Sequence, residues 1–274
     1  MAGHEHWQLD ASTPELYERY LVPAITSTWA ADLLDRIRLQ PNETVLDIAC
    51  GTGAVTRLAA TQTRCGRLVG IDLNSAMLAV ARSLPSTEPP IEWVEGSALS
   101  LPFPAKSFDV VLCQLGLQFF PDRPLALREM LRVLRSGGRV GLSVYSAIER
   151  TPAAYVFVQA LDKHLGPEAS RTKRAEHIFP NPDEVRSLLG EAGFNDVDVT
   201  TVSKQITFPS MLDYVRFQLI ATPMAALLKD RSPADRDQAI QSVADNAASR
   251  IEPSMLQDGK LSFPQESHVA IARA

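Results

Sequence analysis

The sequence predicts an α/β fold built on a mainly parallel β-sheet. Three observations support this fold class. Apolar runs rich in β-branched residues alternate with helical patterns between residues 44 and 145. The first of these runs passes into a Gly-x-Gly turn, Gly51-Thr52-Gly53, and the second ends in an acid, Asp72. Because ligands of open α/β sheets bind at the carboxyl ends of the strands, the turn and the acid predict a ligand site there.

The pattern predicts each element in turn. Residues 13–37 should form two helices, since apolar residues recur at helical spacing and Pro23 interrupts them. Strands are predicted at about residues 44–49, 67–71, 91–95, 108–113 and 138–145. The helices between them are predicted at about residues 53–61, 75–83 and 123–135, the last stopped by Gly137-Gly138.

After Ser146 the regular alternation lapses. Residues 147–180 read as helix and loop, and Asn181-Pro182-Asp183 should cap a helix over 183–192. A strand near 196–202, a helical stretch over about 209–250 and a final strand near 267–273 complete the predicted elements. Segments 147–180 and 205–262 therefore interrupt the sheet pattern.

Composition narrows the class of protein. The net charge of −5 argues against a nucleic-acid partner, which would require clustered Lys and Arg. No apolar run approaches the roughly 18 residues of a membrane span, and the N-terminus lacks a leader pattern, so we expect a cytoplasmic protein. The three cysteines, Cys50, Cys65 and Cys113, match no zinc spacing, so neither a disulfide nor a metal is expected.

The glycine turn alone fits either a dinucleotide or another nucleoside cofactor. A dinucleotide fingerprint would carry a third glycine where Thr56 stands. Asp47 lies inside the first strand, where a negative charge would oppose a pyrophosphate but attract an ammonium group. The Asp72 carboxylate can accept two hydrogen bonds from a ribose diol. These details favour S-adenosylmethionine over a nicotinamide cofactor.

Four motifs occur in order: Val45–Thr56, Gly70–Leu73, Trp93–Ala98 with Leu101-Pro102-Phe103, and Ser107–Val111. Together they resemble class I S-adenosylmethionine-dependent methyltransferases, in the branch of the quinone-biosynthesis methyltransferases, over about residues 33–202. The resemblance implies a Rossmann-like, seven-stranded, mostly parallel sheet with helices on both faces, a last antiparallel strand and an inserted helical lid.

The resemblance also implies a set of cofactor contacts. Asp47 should meet the amino group, and Gly51 and Gly53 should line the methionine part. Asp72 should bind the ribose. Ser97 stands where the family usually has an acid that holds the adenine amino group, so one adenine contact is weakened. The full predicted cofactor set is Asp47, Ala49, Gly51, Gly53, Asp72, Leu73, Met77, Gly96, Ser97, Ala98 and Gln114.

Side chains that follow the fourth and fifth strands should face the methyl acceptor, and two from the N-terminal helices should close the site. The candidates are Tyr20, Trp29, Gln118, Phe119, Phe120 and Tyr145, although each aromatic fits a plain core position equally well. No catalytic base is predicted, since His164, His177 and His268 are more often structural. Methyl transfer can rely on orientation alone, so no triad is required.

The predicted organisation has six segments. Residues 1–40 form helices that close the site, 41–146 and 181–204 form the cofactor-binding core, 147–180 and 205–262 form the lid, and 263–274 form the last strand. The apolar runs Phe217–Ile220 and Met224–Leu228 exceed what one helix face needs, which indicates an apolar acceptor pocket.

The predicted function is methyl transfer from S-adenosylmethionine to oxygen, carbon or nitrogen of a small aromatic, polyketide-like or prenylated acceptor, by a monomer or homodimer. A nucleic-acid methyltransferase is one alternative, but Cys113-Gln114-Leu115-Gly116 differs from the Asn/Asp-Pro-Pro-aromatic motif common among enzymes acting on base amino groups. A non-catalytic protein that binds S-adenosylmethionine is a second alternative, and a nicotinamide oxidoreductase is a third.

Overall fold

A computed structural model describes residues 13–274, so the first twelve residues of the predicted N-terminal segment lie outside the described residues. The chain forms two compact units. The sheet unit comprises Thr26–Val144, Asn181–Val202 and Ser267–Ala274. The helical unit comprises residues 13–25, Tyr145–Pro180 and Ser203–Glu266. Three long strands contribute residues to both units.

A sheet of eight strands organises the described residues. The strands are β1 (Thr44–Ile48), β2 (Arg67–Asp72), β3 (Ile91–Glu95), β4 (Phe108–Gln114), β5 (Leu134–Tyr145), β6 (Asn195–Phe208), β7 (Leu256–Gln257) and β8 (Lys260–Arg273). Their order is β3-β2-β1-β4-β5-β8-β6, with β7 paired to β8. The pairs β1–β2, β2–β3, β1–β4 and β4–β5 are parallel. The predicted α/β fold class, with a mostly parallel sheet, is confirmed.

The predicted count of seven strands was wrong by one among residues 13–274. The additional strand is β7, which pairs antiparallel with β8. Asp258 and Gly259, at φ of +50° and +77°, make the two-residue turn between them. With only two residues, β7 carries too short a pattern to be recognised in the sequence.

Strand β5 starts four residues before the predicted position, so Gly137-Gly138 lies within the strand and does not end the preceding helix. Gly137 has a φ of +77°, and the β4–β5 register shifts between Phe108 and Val110. A left-handed glycine at a bulge lets the strand begin at Leu134 and still reach the register of Arg139 with Val110.

The α-helices are α1 (Thr13–Leu16), α2 (Ser27–Ile37), α3 (Ala54–Gln62), α4 (Ser75–Ser83), α5 (Arg123–Val133), α6 (Pro152–Leu165), α7 (Arg171–Ala175), α8 (Pro182–Ala192), α9 (Met211–Ile220) and α10 (Pro233–Ala248). Short 3-10 turns occupy Leu117–Phe119, Ile148–Arg150, Pro223–Leu228 and Pro253–Met255. None of the helices within residues 13–274 is both long and apolar enough to cross a membrane.

One helix prediction needs correction. Residues 13–37 do not break at Pro23, because a π-helix, Tyr17–Thr26, joins α1 to α2 and contains that proline. The predicted helical stretch over about 209–250 consists of α9, the 3-10 segment Pro223–Leu228 and α10. Thr222 and Ser232 cap new helical segments by accepting hydrogen bonds from backbone amides, and a proline follows each cap.

The core of the sheet unit lies on both faces of its central strands. Leu46, Val111 and Leu142 are fully buried there. The end of α2 is tied to the sheet by Arg139 of β5, whose guanidinium donates to the Ile37 and Arg38 carbonyls and forms an ion pair with Glu43 at 2.6 Å. This network anchors the segment that leads into β1 and so positions the turn that follows β1.

The helical unit has an aromatic core. The ring of Tyr214 meets Phe157, Phe208 and Phe263 edge to face, with centroids 5.7, 5.2 and 5.6 Å away. Met211, Val215 and Leu219 of α9 are also buried, so much of the apolar surface of this helix fills a core.

Candidate functional site

The turn between β1 and α3 has an unusual backbone. Ala49, Gly51 and Gly53 all have positive φ, at +55°, +57° and +85°. Left-handed residues at alternate positions turn the chain sharply. The amides of Cys50, Gly51 and Gly53 donate to the Ile71 carbonyl, to Asp72 Oδ2 and to the Cys50 carbonyl, which fixes the turn. The Cβ of Ala49 makes this conformation sterically unfavourable, whereas a glycine would adopt it without strain. Such strain is typical of functional turns.

The two glycines of this turn meet different surroundings. A Cβ on Gly53 would lie 2.1 Å from Cη2 of Trp93 in β3, whereas a Cβ on Gly51 would have no atom within 4 Å. Gly53 therefore serves close packing under the indole ring. Gly51 borders open space beside the backbone, which fits the predicted role of lining a ligand.

Asp72, at the end of β2, holds two turns together. Its Oδ2 accepts a hydrogen bond from the Gly51 amide at 2.7 Å, and its Oδ1 accepts one from the Asn74 amide at 2.8 Å. Burial raises the pKa of this carboxyl above its usual value, and the backbone hydrogen bonds oppose the rise. A carboxylate has about four acceptor sites, so each oxygen retains capacity for one ribose hydroxyl.

Asp47 lies inside β1 and is buried. Its Oδ2 accepts a hydrogen bond from the Thr56 hydroxyl at 2.6 Å. Burial, reinforced by the negative charge of Asp72, raises the pKa of Asp47 to about 7, although the hydrogen bonds from Thr56 counteract the rise. The residue that breaks the dinucleotide fingerprint thus supports the Asp47 side chain, a role that sequence reasoning missed.

This environment predicts a pH dependence that Asp47→Asn should remove. The folded pKa of about 7 exceeds the ordinary value of 3.8, so the folded protein binds the proton more tightly than the unfolded chain. The stabilisation is complete below about pH 4 and is lost as pH rises to about 7, a change on the order of 4 kcal/mol. At pH 8, the unfolding free energy of ligand-free Asp47→Asn should exceed that of the wild type.

Urea titrations at pH 5 and pH 8 measure this difference. Calorimetry with S-adenosylhomocysteine supplies the second readout: wild-type affinity should rise with pH through about 7, because the cationic amino group favours the charged carboxylate, and Asp47→Asn should bind weakly at both pH values. Parallel pH profiles for the two proteins would contradict the assignment.

The loop after β3 carries the predicted adenine contacts. The Gly96 amide donates to the Asp72 carbonyl at 3.0 Å, which fixes this loop beside the end of β2. Ser97 Oγ accepts a hydrogen bond from the Leu99 amide at 3.2 Å, so part of its capacity is used within the loop. Met77 of α4 is buried, whereas Leu73 is 39% exposed. The adenine roles of Gly96, Ser97 and Ala98 stay predictions.

Ser97→Asp should tighten the binding of S-adenosylhomocysteine. One carboxylate oxygen can keep the hydrogen bond from the Leu99 amide while the other accepts from the adenine amino group, which adds a charge-assisted bond. Titration of both proteins measures the change, with Ser100→Asp, an exposed position in the same turn, as the control. Weaker binding by Ser97→Asp would place the adenine elsewhere.

Gln114 ends β4 beside the turn after β1. Its Nε2 donates to the Thr26 carbonyl at 3.1 Å, and its Oε1 is buried with no hydrogen-bond partner among residues 13–274. The two turns are in contact, because a Cβ on Gly116 would lie 2.9 Å from Cβ of Ala49. An unpartnered acceptor at this place fits the predicted contact with the methionine part of the cofactor.

The predicted acceptor-facing residues divide between the two units. Trp29, Gln118, Phe119 and Phe120 belong to the sheet unit, and Tyr20 and Tyr145 belong to the helical unit. Both amide atoms of Gln118 are buried without a partner in the described part of the chain, which fits a ligand contact. Trp29 is 1% exposed and fits a core position. Tyr20 stacks on Phe217 with ring centroids 4.3 Å apart.

Thr52 is a further candidate that sequence reasoning passed over. Its hydroxyl oxygen is buried and has no hydrogen-bond partner within residues 13–274. The only signal in the sequence was its position between the two glycines of the turn.

Comparison with known proteins identifies this arrangement. Residues 46–142 match the family described as "Methyltransferase domain". The chain is 37% identical over 179 residues to the 2-phytyl-1,4-naphtoquinone methyltransferase of Thermosynechococcus vestitus, an alignment that covers 62% of this chain and 80% of that protein. It is 30% identical to the demethylmenaquinone methyltransferase of Oceanobacillus iheyensis, over 63% of this chain and 78% of that protein.

Solved structures share the fold. Phosphoethanolamine N-methyltransferase 2 of Haemonchus contortus, in complex with S-adenosyl-L-methionine, has a TM-score of 0.61 at 18% identity, covering 96% of this chain and 57% of that one. A Bacillus halodurans C-125 protein assigned as a methyltransferase has a TM-score of 0.60 at 24% identity, covering 90% of this chain and 98% of that one.

The comparisons confirm the predicted family, enzyme class and cofactor. The chain combines a glycine turn after β1 and an acid at the end of β2 with similarity to quinone methyltransferases. It belongs to the S-adenosylmethionine-dependent methyltransferases of small molecules.

Proposed function

We propose that this methyltransferase acts on a hydroxylated aromatic ring of the quinone type, with a prenyl-like side chain. The observation that carries the proposal is the similarity over four fifths of the 2-phytyl-1,4-naphtoquinone methyltransferase. A plant relative, the chloroplastic 2-phytyl-1,4-beta-naphthoquinone methyltransferase of Arabidopsis thaliana, supports the same class at 31% identity over 64% of its length.

The residues of the sheet unit fit S-adenosylmethionine. Asp72 has acceptor sites that can take the ribose hydroxyls, Asp47 is a buried carboxyl that can supply negative charge to an amino group, and Gln114 offers an unpartnered acceptor. Gly51 leaves room for close approach to the backbone. When bound, S-adenosylmethionine supplies an electrophilic methyl group on a sulfonium centre.

An electrophilic methyl group requires an electron-rich acceptor atom. A quinone ring is electron-poor, whereas its reduced form carries two hydroxyl groups that donate electron density to the ring carbons. The proposal therefore specifies the reduced, hydroxyl-bearing form and methylation at ring carbon. The protein then needs to orient the ring and exclude water, with a polar contact such as Gln118 to hold a hydroxyl group.

Incubation with methyl-labelled S-adenosylmethionine tests the proposal. Chemically reduced 2-phytyl-1,4-naphthoquinone should gain one labelled methyl group on carbon, and the oxidised compound should gain none. Catechol and total RNA serve as comparison acceptors, and Asp72→Ala is the control variant. Transfer to RNA but not to the reduced quinone would favour the nucleic-acid alternative. Binding of the cofactor without transfer to any acceptor would favour a non-catalytic protein.

We expect the helical unit to set acceptor specificity, because the proposed cofactor contacts all belong to the sheet unit. Exchange of apolar residues such as Phe217 should then alter acceptor choice and leave the affinity for S-adenosylhomocysteine nearly unchanged. A cytoplasmic location and a monomeric or homodimeric state complete the proposal, and sedimentation of the purified protein measures the latter.

A further inference from the structure

The helical unit contains a buried polar cluster that no cofactor contact uses. It consists of Tyr145 and Ser146 at the end of β5, Lys173 in α7, and Glu176 and His177 just after it. All five side chains are at least nine-tenths buried. Buried polar groups are normally hydrogen-bonded, so each member of such a cluster calls for a partner.

The geometry fixes the tautomer of His177. Its Nδ1 lies 2.8 Å from the Ser146 carbonyl oxygen. A carbonyl can only accept, so Nδ1 must carry the hydrogen. Ser146 is held in place in turn, because its amide donates to the Glu266 carbonyl at 3.2 Å and its hydroxyl donates to the Glu266 carboxylate at 2.9 Å. The imidazole is therefore anchored through a fixed strand end.

The surrounding charges keep this imidazole neutral. Burial and the nearby Lys173 ammonium lower the pKa of His177 to about 3. Lys173 pairs with Glu176 at 2.6 Å and lies 5.8 Å from the ring centre of Tyr145. Burial and the charge of Glu176 raise the pKa values of Tyr145 and Tyr214, so both phenols stay protonated. Tyr17 is a further phenol near Tyr145.

A neutral imidazole with hydrogen on Nδ1 has an acceptor lone pair on Nε2. This Nε2 is buried and has no hydrogen-bond partner among residues 13–274. Leaving a buried acceptor unpaired costs about 1–3 kcal/mol. Stacking on Tyr145, with centroids 5.0 Å apart and planes at 20°, needs only a flat ring, so packing does not account for a nitrogen at this position.

We propose that Nε2 of His177 accepts a hydrogen bond from a hydroxyl group of the methyl acceptor. This inference rests on the proposed function, and it adds a specific acceptor-binding residue in the helical unit. The lone pair selects acceptors that carry O–H: a reduced ring can donate to it, and an oxidised ring cannot. A neutral imidazole also avoids the cost of burying a second cation beside Lys173.

Two substitutions separate the two nitrogens of this side chain. His177→Asn retains an N–H that can donate to the Ser146 carbonyl and removes the acceptor at the Nε2 position. His177→Gln places an amide oxygen near the Nε2 position and should retain part of the contact. His177→Phe keeps the ring that stacks on Tyr145, so it reports packing alone.

Binding to the full chain saturated with S-adenosylhomocysteine tests the proposal without turnover. The probes are naphthalene-1,4-diol, kept reduced, and 1,4-difluoronaphthalene, which has a similar shape but no O–H. Wild type should bind the diol about fivefold more tightly than the difluoro compound, the value of one net hydrogen bond. The preference should vanish in His177→Asn and His177→Phe and partly persist in His177→Gln. On addition of the diol, the Nε2 resonance of ¹⁵N-labelled His177 should shift.

Equal preference for the diol in wild type, His177→Asn and His177→Phe, or an unchanged Nε2 resonance, would overturn the inference. So would failure of the wild type to bind the diol. Unchanged affinity of the variants for S-adenosylhomocysteine shows that they fold. The methyl-transfer assay with the reduced quinone is independent of these results, so the proposed function can stand when this inference fails.

Discussion

Gly53→Ala should destabilise the protein by about 3 kcal/mol. Two costs add. The residue adopts a φ of +85°, which L-residues avoid, and the new methyl group would lie 2.1 Å from the indole of Trp93. The indole ring packs against Gly70 as well, since a Cβ on Gly70 would lie 2.5 Å from Cζ3 of Trp93. We therefore expect the ring to move little when Gly53 is replaced. Urea denaturation monitored by circular dichroism measures the loss.

Gly51→Ala is the matched control, since it has a similar left-handed backbone but no neighbouring atom within 4 Å. It should cost only about 1 kcal/mol of stability. Combining Gly53→Ala with Trp93→Ala should reduce the penalty of the alanine to about that of Gly51→Ala, because the steric conflict is removed. Equal penalties for Gly53→Ala and Gly51→Ala in the wild-type background would show that the backbone angle, and not the indole, sets the cost.

Asp72→Ala should weaken the binding of S-adenosylhomocysteine by about 2–4 kcal/mol, through the loss of charge-assisted hydrogen bonds to the ribose. The structure adds a second effect to this prediction. The carboxylate also accepts the Gly51 and Asn74 amides, so its removal releases the turns after β1 and β2. We therefore expect a loss of stability as well, in contrast to the small folding effect that an exposed strand end would give.

Asp72→Asn separates these two contributions. Its amide oxygen can still accept one backbone hydrogen bond, while the charge is gone, so stability should recover more than affinity. Calorimetry gives the affinity and thermal unfolding gives the stability of each variant. A folded Asp72→Ala protein that binds S-adenosylhomocysteine as tightly as wild type would refute the ribose contact.

The sheet unit was predictable because its determinants are local. Each central strand is a short apolar run, and β1 to β4 lie within two residues of their predicted bounds. Gly51 and Gly53 predict a tight turn, and both residues have the left-handed backbone that such a turn requires. A ligand contact is predicted for Asp72 because this residue lies at the end of a strand. Periodicity, glycine and charge are visible without knowledge of the fold.

Some features depend on contacts that the sequence does not display. Pro23 reads as a helix break, yet the π-helix around it continues. Thr56 reads as a missing glycine, and its bond to Asp47 exists only because the strand and the helix pack together. His177 looks like any structural histidine until burial and the Ser146 carbonyl fix its protonation. Such roles arise from residues far apart in the chain.

The position of β8 has a consequence for the order of events during synthesis. This strand follows every other strand along the chain, yet it lies between β5 and β6 in the sheet. While the ribosome is still making residues 260–273, β1 to β5 can already pair, but β6 has no finished neighbour to join. Until β8 is made, β5 therefore has an unpaired edge, and unpaired strand edges are prone to pair with other chains.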